Sequence, residues 1–248
     1  MARPPDDSLE IYIVAKQWMW KVQHPGGQSE INELHIPANQ PVKLVMTSED
    51  VIHSFWVPVF RTKQDVVPGR YTHTWFQATK TGDYHLFCAE YCGTEHSRMG
   101  GWVHVMEKAD YDKWVDERPF RSMATEGRNL FYKLQCVTCH SANAEARAPV
   151  LEGLYGSMVT LREGRPNPVR ADEDYLRESI LKPDAKVVAG YEPIMPPFVL
   201  KKSPDDKDGH LTEEELMKLI VYIKSLGRDG TPPRVEESIP PDRKDTKK

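Results

Sequence analysis

The four cysteines of this chain fall in two short stretches, and those stretches constrain its fold more than any other feature. The first runs Cys88-Ala-Glu-Tyr-Cys92-Gly-Thr-Glu-His96-Ser-Arg-Met99. The second is Cys136-Val-Thr-Cys139-His140. Thiolate, imidazole and thioether in one loop form a soft donor set suited to copper. Cys-x-x-Cys-His is the attachment signature of a c-type haem. Each demands a local shape: a loop closing on itself between two fixed ends, and a helical turn setting two thiols on one side. Two one-electron centres on one polypeptide point to moving electrons rather than to making or breaking substrate bonds.

Two disulfides would also consume four cysteines, but would leave His96, Met99 and His140 without a role. A zinc site built on Cys88, Cys92 and two histidines gives no reason for a Met three residues after a His.

A length of 248 residues holds one large or two small domains. A hydrophobic content of 39% and a charged content of 28% are those of a soluble globular chain. With 33 basic and 37 acidic residues and a net charge of −4, the chain lacks the basic bias that nucleic-acid binding needs. No apolar run approaches the roughly 18 residues of a membrane span. The start, Met1-Ala-Arg-Pro-Pro-Asp-Asp, lacks the apolar core of a signal peptide. Covalent haem is attached outside the cytoplasm. The expectation is therefore that an export or anchor segment has been removed from the start, and that the chain works on the extracytoplasmic, periplasmic side of the cell membrane.

Residues 9–106 read as β structure, with candidates at Leu9-Glu-Ile-Tyr-Ile-Val, Pro41-Val-Lys-Leu-Val-Met, Arg70-Tyr-Thr-His-Thr-Trp-Phe, Asp83-Tyr-His-Leu-Phe-Cys88 and Gly101-Trp-Val-His-Val-Met106. Strands this short and this spaced suggest a sandwich or barrel. Pro25-Gly26-Gly27 is a turn, with His24 a turn residue beside it. Residues 107–122, charged with Tyr111 and Trp114 interspersed, read as a linker that can hold one helical turn. Helix signals follow. Glu126 to Gln135 carries Leu130, Phe131 and Leu134 on one face. Thr212 and Glu215 form a capping box before the stripe Leu216, Leu219, Ile220 and Ile223. Gly227 suits the position just past that helix. Residues 230–248, Pro-rich and charged, read as a disordered tail.

In the first stretch, Cys88, Cys92, His96 and Met99 can reach one small metal cluster. Two thiolates can bridge two copper ions, whereas a single-copper site would leave one cysteine unexplained. A further ligand must come from a neighbouring strand or loop, and His53 in Asp50-Val-Ile-His53-Ser-Phe-Trp is the best candidate. His35, His73, His85 and His104 lie near strand candidates and read as packed or solvent-facing.

Four segments in order carry a resemblance: Gln17-Trp18-Met-Trp20, His53-Ser-Phe-Trp-Val-Pro58, Lys63-Gln-Asp65-Val-Val-Pro68-Gly69-Arg70 and the Cys88 loop. Residues 9–106 resemble the CuA domain of cytochrome c oxidase subunit II. That resemblance implies a cupredoxin-like, all-β Greek-key sandwich. It implies that Cys88 and Cys92 bridge both coppers, one completed by His53 and Met99, the other by His96 and the carbonyl of Glu90. The Glu90 side chain would face a magnesium ion at the junction with the catalytic subunit. Trp18 matches the aromatic through which electrons enter, although Met19 stands where a Tyr is usual. Asp65 and Arg70 resemble residues near the subunit junction.

In the second stretch, Cys136 and Cys139 add across the haem vinyl groups, and His140 is set under the iron. Met195, in Ile194-Met195-Pro196-Pro197-Phe198, is the candidate sixth ligand, with Met158 and His210 as rivals. A thioether opposite an imidazole raises the haem potential and closes the iron to other ligands. Residues 123–227 resemble a class I cytochrome c. Ala148-Pro149-Val-Leu151-Glu-Gly153-Leu154-Tyr-Gly156 looks like that family's haem-edge loop. Gly127 and Phe131 match its helix-packing pair, here against Tyr222.

The arrangement expected is a lead-in at 1–8, a copper domain at 9–106, a linker at 107–122, an all-α class I cytochrome c domain at 123–229 and the tail. It resembles subunit II of caa3-type oxidases. The resemblance implies electrons passing from an external donor through haem c to a dinuclear copper centre and on to haem a of catalytic subunit I. The partners implied are that subunit, the donor and the membrane through the missing anchor. A tethered cytochrome raises the effective concentration of the donor. The rivals are a subunit of a CuA-containing nitric oxide reductase and a copper-delivery protein. Lys63 to Arg70 and Glu90 favour the oxidase, and an enclosed ligand set argues against delivery.

Overall fold

The computed structural model describes residues 3–116, 122–140, 147–163, 168–201, 206 and 208–227. The expected tail, 230–248, lies outside them. Ten strands come first: β1 Leu9–Lys16, β2 Met19–Gln23, β3 Ser29–Ile31, β4 Glu33–Pro37, β5 Pro41–Ser48, β6 His53–Val57, β7 Thr62–Val66, β8 Thr72–Gln77, β9 Gly82–Cys88 and β10 Gly100–Met106. They form two five-stranded sheets, ordered β3-β2-β1-β5-β8 and β4-β10-β9-β6-β7. β1 runs parallel to β5 and β4 parallel to β10, while the other pairs are antiparallel. Ile11, Ile13, Trp20, Leu34, Leu44, Phe55, Leu86 and Val103 fill the space between the sheets, each fully buried. The five strand candidates of the sequence are all present. The shorter β2, β3, β4, β6 and β7 were not anticipated.

The expected linker is corrected. Lys108–Asp116 is a nine-residue helix, α1. Its apolar side has somewhere to go: Tyr111 is buried with its hydroxyl 3.2 Å from His24 Nδ1, and Trp114 stacks on His35. His24 is the turn residue expected, and it is also part of this packing. It stands at the turn after β2 but is only 1% exposed, and it bonds Glu30 as well as Tyr111.

The second half holds α2 Met123–Lys133, α3 Val137–His140, α4 Glu173–Leu181 and α5 Glu213–Ser225. The all-α expectation is corrected by a two-residue ladder, β11 Met158–Val159 with β12 Val169–Arg170, in which Val159 pairs with Val169 and is buried. Ser122 caps α2, Asp172 caps α4, and Thr212 with Glu215 forms the anticipated capping box on α5. α5 stops at Ser225 with Leu226 as its cap, one residue before the expected Gly227. α2 and α5 cross at Gly127, where a Cβ would meet the Lys218 carbonyl oxygen at 1.9 Å. One turn on, Phe131 packs on Tyr222 with ring centroids 5.3 Å apart. Among the described residues no helix is long and apolar enough to cross a membrane.

The helical half lies against the outer face of the first sheet. Tyr12, Val14 and Val45 of that face, with Tyr71, share one apolar cluster with Met123, Leu216 and Ile220. Charge closes the seam. Lys224 Nζ bonds Glu10 at 2.5 Å and Glu173 at 2.8 Å, and Lys43 reaches Glu10 at 2.7 Å. Lys21 joins Glu49 and Glu214, both at 2.8 Å. Arg177 makes two bonds to Glu213, at 2.7 and 2.6 Å, with its guanidinium 5.3 Å from the centre of the Tyr71 ring. Burial alone would push the Glu10 and Glu173 carboxyls up, but Lys224 and Lys43 hold both below the ordinary range.

Two outcomes follow. Gly127→Ala forces the helix crossing apart and costs about 1–3 kcal/mol, read from chemical unfolding followed by helix circular dichroism. The depressed carboxylates contribute stability that is full above their unfolded value of roughly 4.3 and is lost as pH falls through their lower folded values. Acid below that point therefore separates the two halves, and small-angle scattering shows the radius of gyration rising.

Candidate metal centres

The first centre forms where β9 ends and β10 begins. The Cys88 N–H donates to Met99 O at 3.1 Å, so the base of the loop is closed by main chain. Between these points a 3-10 turn, His96–Arg98, turns His96 and Met99 back toward the thiols. Cys88 Sγ lies 3.8 Å from Cys92 Sγ, and Cys92 Sγ lies 3.5 Å from His96 Nδ1 and 3.7 Å from Met99 Sδ. The Glu90 carbonyl oxygen stands 3.2 Å from Cys88 Sγ, while its side chain is exposed.

His53 opens β6 and is fully buried. One donor atom each from His53, Cys88 and Cys92 lies within 4.8 Å of the others. Its Nε2 bonds Asp50 Oδ1 at 2.8 Å, leaving Nδ1 buried with no hydrogen-bond partner. Asp50 is itself fixed by the backbone N–H groups of Gln17 and Val51, each at 2.7 Å. Sequence reasoning passed over Asp50, although an Asp three residues before a ligand-type His is a signal for an orienting carboxylate. Burial pushes the Cys88 thiol up, but the neighbouring His53 imidazole and the main chain at Ser54 and Glu90 outweigh it and bring it down to about 7. Burial and the charge of Cys88 push Cys92 up to about 12.

Trp18 leans on the same loop. Its indole N–H donates to Cys92 O at 3.2 Å, beside the Gln17 amide at 2.8 Å. Gly93, with φ of 116°, leaves them room: a Cβ there would meet Gln17 Nε2 at 2.8 Å. Asp65 and Arg70 are exposed, with Ser54 Oγ donating to Asp65 at 2.8 Å. His35 and His104 stack on each other, His85 packs at a tilt on Trp102, and none of these joins the thiols.

The second centre is an apolar cleft in the helical half. Gln135, with φ of 61°, turns the chain between α2 and α3. Cys136, Cys139 and His140 then line the cleft with Phe131, Leu151 and Met195. His140 Nδ1 donates to Pro149 O at 2.9 Å, which leaves Nε2 as the lone-pair nitrogen. The Ala148–Gly156 loop was read as a haem-edge loop, but the role of the Pro149 carbonyl was not. The rival ligands are elsewhere. Met158 is 62% exposed and does not line the cleft, and His210 Nδ1 accepts the Val199 N–H at 3.1 Å.

The donor sets fit the groups that the sequence implies. An orphaned buried imidazole nitrogen beside two thiols, a second imidazole and a thioether is a copper set. Two thiols and an anchored imidazole on an apolar cleft suit a covalently held porphyrin.

In the haem-loaded, copper-free chain, ultraviolet thiolate absorbance rises in two steps. One thiolate, Cys88, forms near pH 7, and the second does not form before strongly alkaline pH.

Residues 10–106 match the family model for the cytochrome c oxidase subunit II periplasmic domain, and residues 124–227 match that for cytochrome c. Cytochrome c oxidase subunit 2 of Alkalihalophilus pseudofirmus is 28% identical over 230 residues, covering 89% of this chain and 62% of that protein. The subunit 2 of Thermostichus vulcanus is 43% identical over 112 residues, 45% of this chain and 33% of that protein. The chain thus spans less than two thirds of these curated relatives. A crystal structure of the periplasmic domain of subunit II of cytochrome oxidase from Bradyrhizobium japonicum is 32% identical and covers 46% of this chain and 96% of that one, with a TM-score of 0.45.

Proposed function

We propose, for a chain whose residues 10–106 belong to the cytochrome c oxidase subunit II periplasmic-domain family and whose residues 124–227 belong to the cytochrome c family, that it carries electrons from an external donor to the catalytic subunit of an aerobic terminal oxidase. Haem c and a dinuclear copper centre, when bound, supply the one-electron chemistry. The observation that carries this reading is the buried His53 Nδ1, left without a partner beside Cys88 and Cys92.

Cys88 and Cys92 would hold the copper centre together with His53, His96, Met99 and the Glu90 carbonyl, and it would supply one-electron transfer. Asp50 holds the His53 ring in the orientation that turns Nδ1 to the thiols. β9, β10 and their main-chain closure keep these side chains in one arrangement, which lowers the reorganisation that a change of charge requires. Greek-key connection of a cupredoxin-like sandwich is the finer fold reading. Trp18 touches the Cys92 carbonyl and is the candidate surface contact for incoming electrons. The exposed Glu90 side chain is free to meet a magnesium ion at the junction with subunit I. In the helical half, Cys136 and Cys139 would hold the porphyrin, with His140 and Met195 as the residues that would ligate its iron. Pro149 fixes the His140 tautomer. The native location is the periplasmic side of the cell membrane, membrane-anchored in the native complex. The domain limits proposed are 9–106 and 123–229, joined by the α1 segment.

Paramagnetic resonance on the oxidised, loaded chain shows one unpaired electron shared over two equivalent coppers; a single-copper spectrum overturns the assignment. Met195→Ala abolishes the sulfur-to-iron absorption band, and a band that persists assigns another ligand. Reconstitution with the catalytic subunit consumes oxygen; consumption of nitric oxide alone would support the reductase instead.

A further inference from the structure

Outside the two centres, Glu30, Glu33 and His35 form a second group of ligand-type side chains whose donor atoms lie within 4.8 Å of one another. Glu30 comes from β3, and Glu33 and His35 alternate onto one face of β4. Asn32, with φ of 60°, makes the corner between them. It is pinned on both sides: its N–H donates to Trp20 O at 2.8 Å, and its carbonyl accepts the Trp102 N–H at 2.9 Å. The three side chains are therefore brought together by fixed backbone.

The Glu30 side chain is 4% exposed. One oxygen faces His24 Nε2 at 2.8 Å and accepts the His35 backbone N–H at 3.1 Å. The other faces His35 Nδ1. The His35 ring is held between Trp114 of α1, 4.8 Å away, and His104 of β10, 4.4 Å away. Glu33 is exposed and opens the cluster to solvent. A carboxylate with one oxygen held by outer hydrogen bonds, and an imidazole locked in its plane, are how first ligands of a metal are oriented. His35 in its other neutral tautomer, with the proton on Nε2, presents the Nδ1 lone pair to the same point. Two carboxylates and one imidazole, without sulfur, suit a zinc-type divalent ion rather than copper(I).

We propose that Glu30, Glu33 and His35 bind a first-row divalent cation of the zinc type at the seat of α1. Trp114 stacks on a ligand, and Tyr111 bonds the histidine behind Glu30. The ion therefore stiffens the joint between the sandwich and the helix that leads into the second half.

The test uses the full chain loaded with copper and haem, so that its cysteines are taken, and zinc alone as the probe. One equivalent of zinc binds beyond the loaded metals in equilibrium dialysis. Its X-ray absorption shows a shell of oxygen and nitrogen without sulfur. Glu33→Gln, at an exposed side chain, weakens this binding by roughly tenfold or more and leaves the copper spectrum unchanged. Glu30→Gln does the same. Asp112→Asn, at an exposed α1 carboxylate that bonds Lys108, has no effect. The proposal is overturned by no uptake beyond the loaded metals, by sulfur in the zinc shell, or by a Glu33→Gln chain that binds as tightly as the parent.

Discussion

β1 is buried on both faces, and the arrangement of the molecule depends on that. Ile11, Ile13 and Ala15 point into the sandwich, while Tyr12 and Val14 point out of it and are equally covered. A strand at the outer face of a lone sandwich would alternate apolar with polar. Here the outward side chains need a second layer, and α5 with its neighbours supplies it. The copper loop sits on a scaffold that is itself clamped between its own core and the helical half.

The chemistry of both centres was legible because its donors are local in sequence. Cys88, Cys92, His96 and Met99 share one loop, and Cys136, Cys139 and His140 share one turn, so spacing alone brings them together. His53 was legible because a neighbouring strand or loop had to supply a further donor, and β6 does pair with β9 next to Cys88. Asp50 and Pro149 were not, since their roles rest on where a carboxylate or a carbonyl points once the fold is made. The two halves' shared seam was not read either, although its signal was present. Leu9-Glu-Ile-Tyr-Ile-Val-Ala holds an unbroken apolar run after Glu10, which marks a strand covered on both sides.

The short strands escaped notice for a related reason. β3 and β4 carry Glu30, Glu33 and His35, residues that seldom favour strands. They are held there by Asn32 and by pairing with β2 and β10 rather than by propensity. α1 likewise has a charged composition with a low apolar content, and exists as a helix because Tyr111 and Trp114 find His24 and His35 to pack on. In both places tertiary contact overrode the local preference.

The charged seam has a bearing on engineering. A foreign cytochrome grafted onto this sandwich would lack Lys224 opposite Glu10 and Arg177 opposite Tyr71, and a charge left short of partners in a covered interface is costly. The halves are not interchangeable modules. A change at Lys224 or Glu173 therefore alters what holds the Glu10 carboxylate on the far side of the seam.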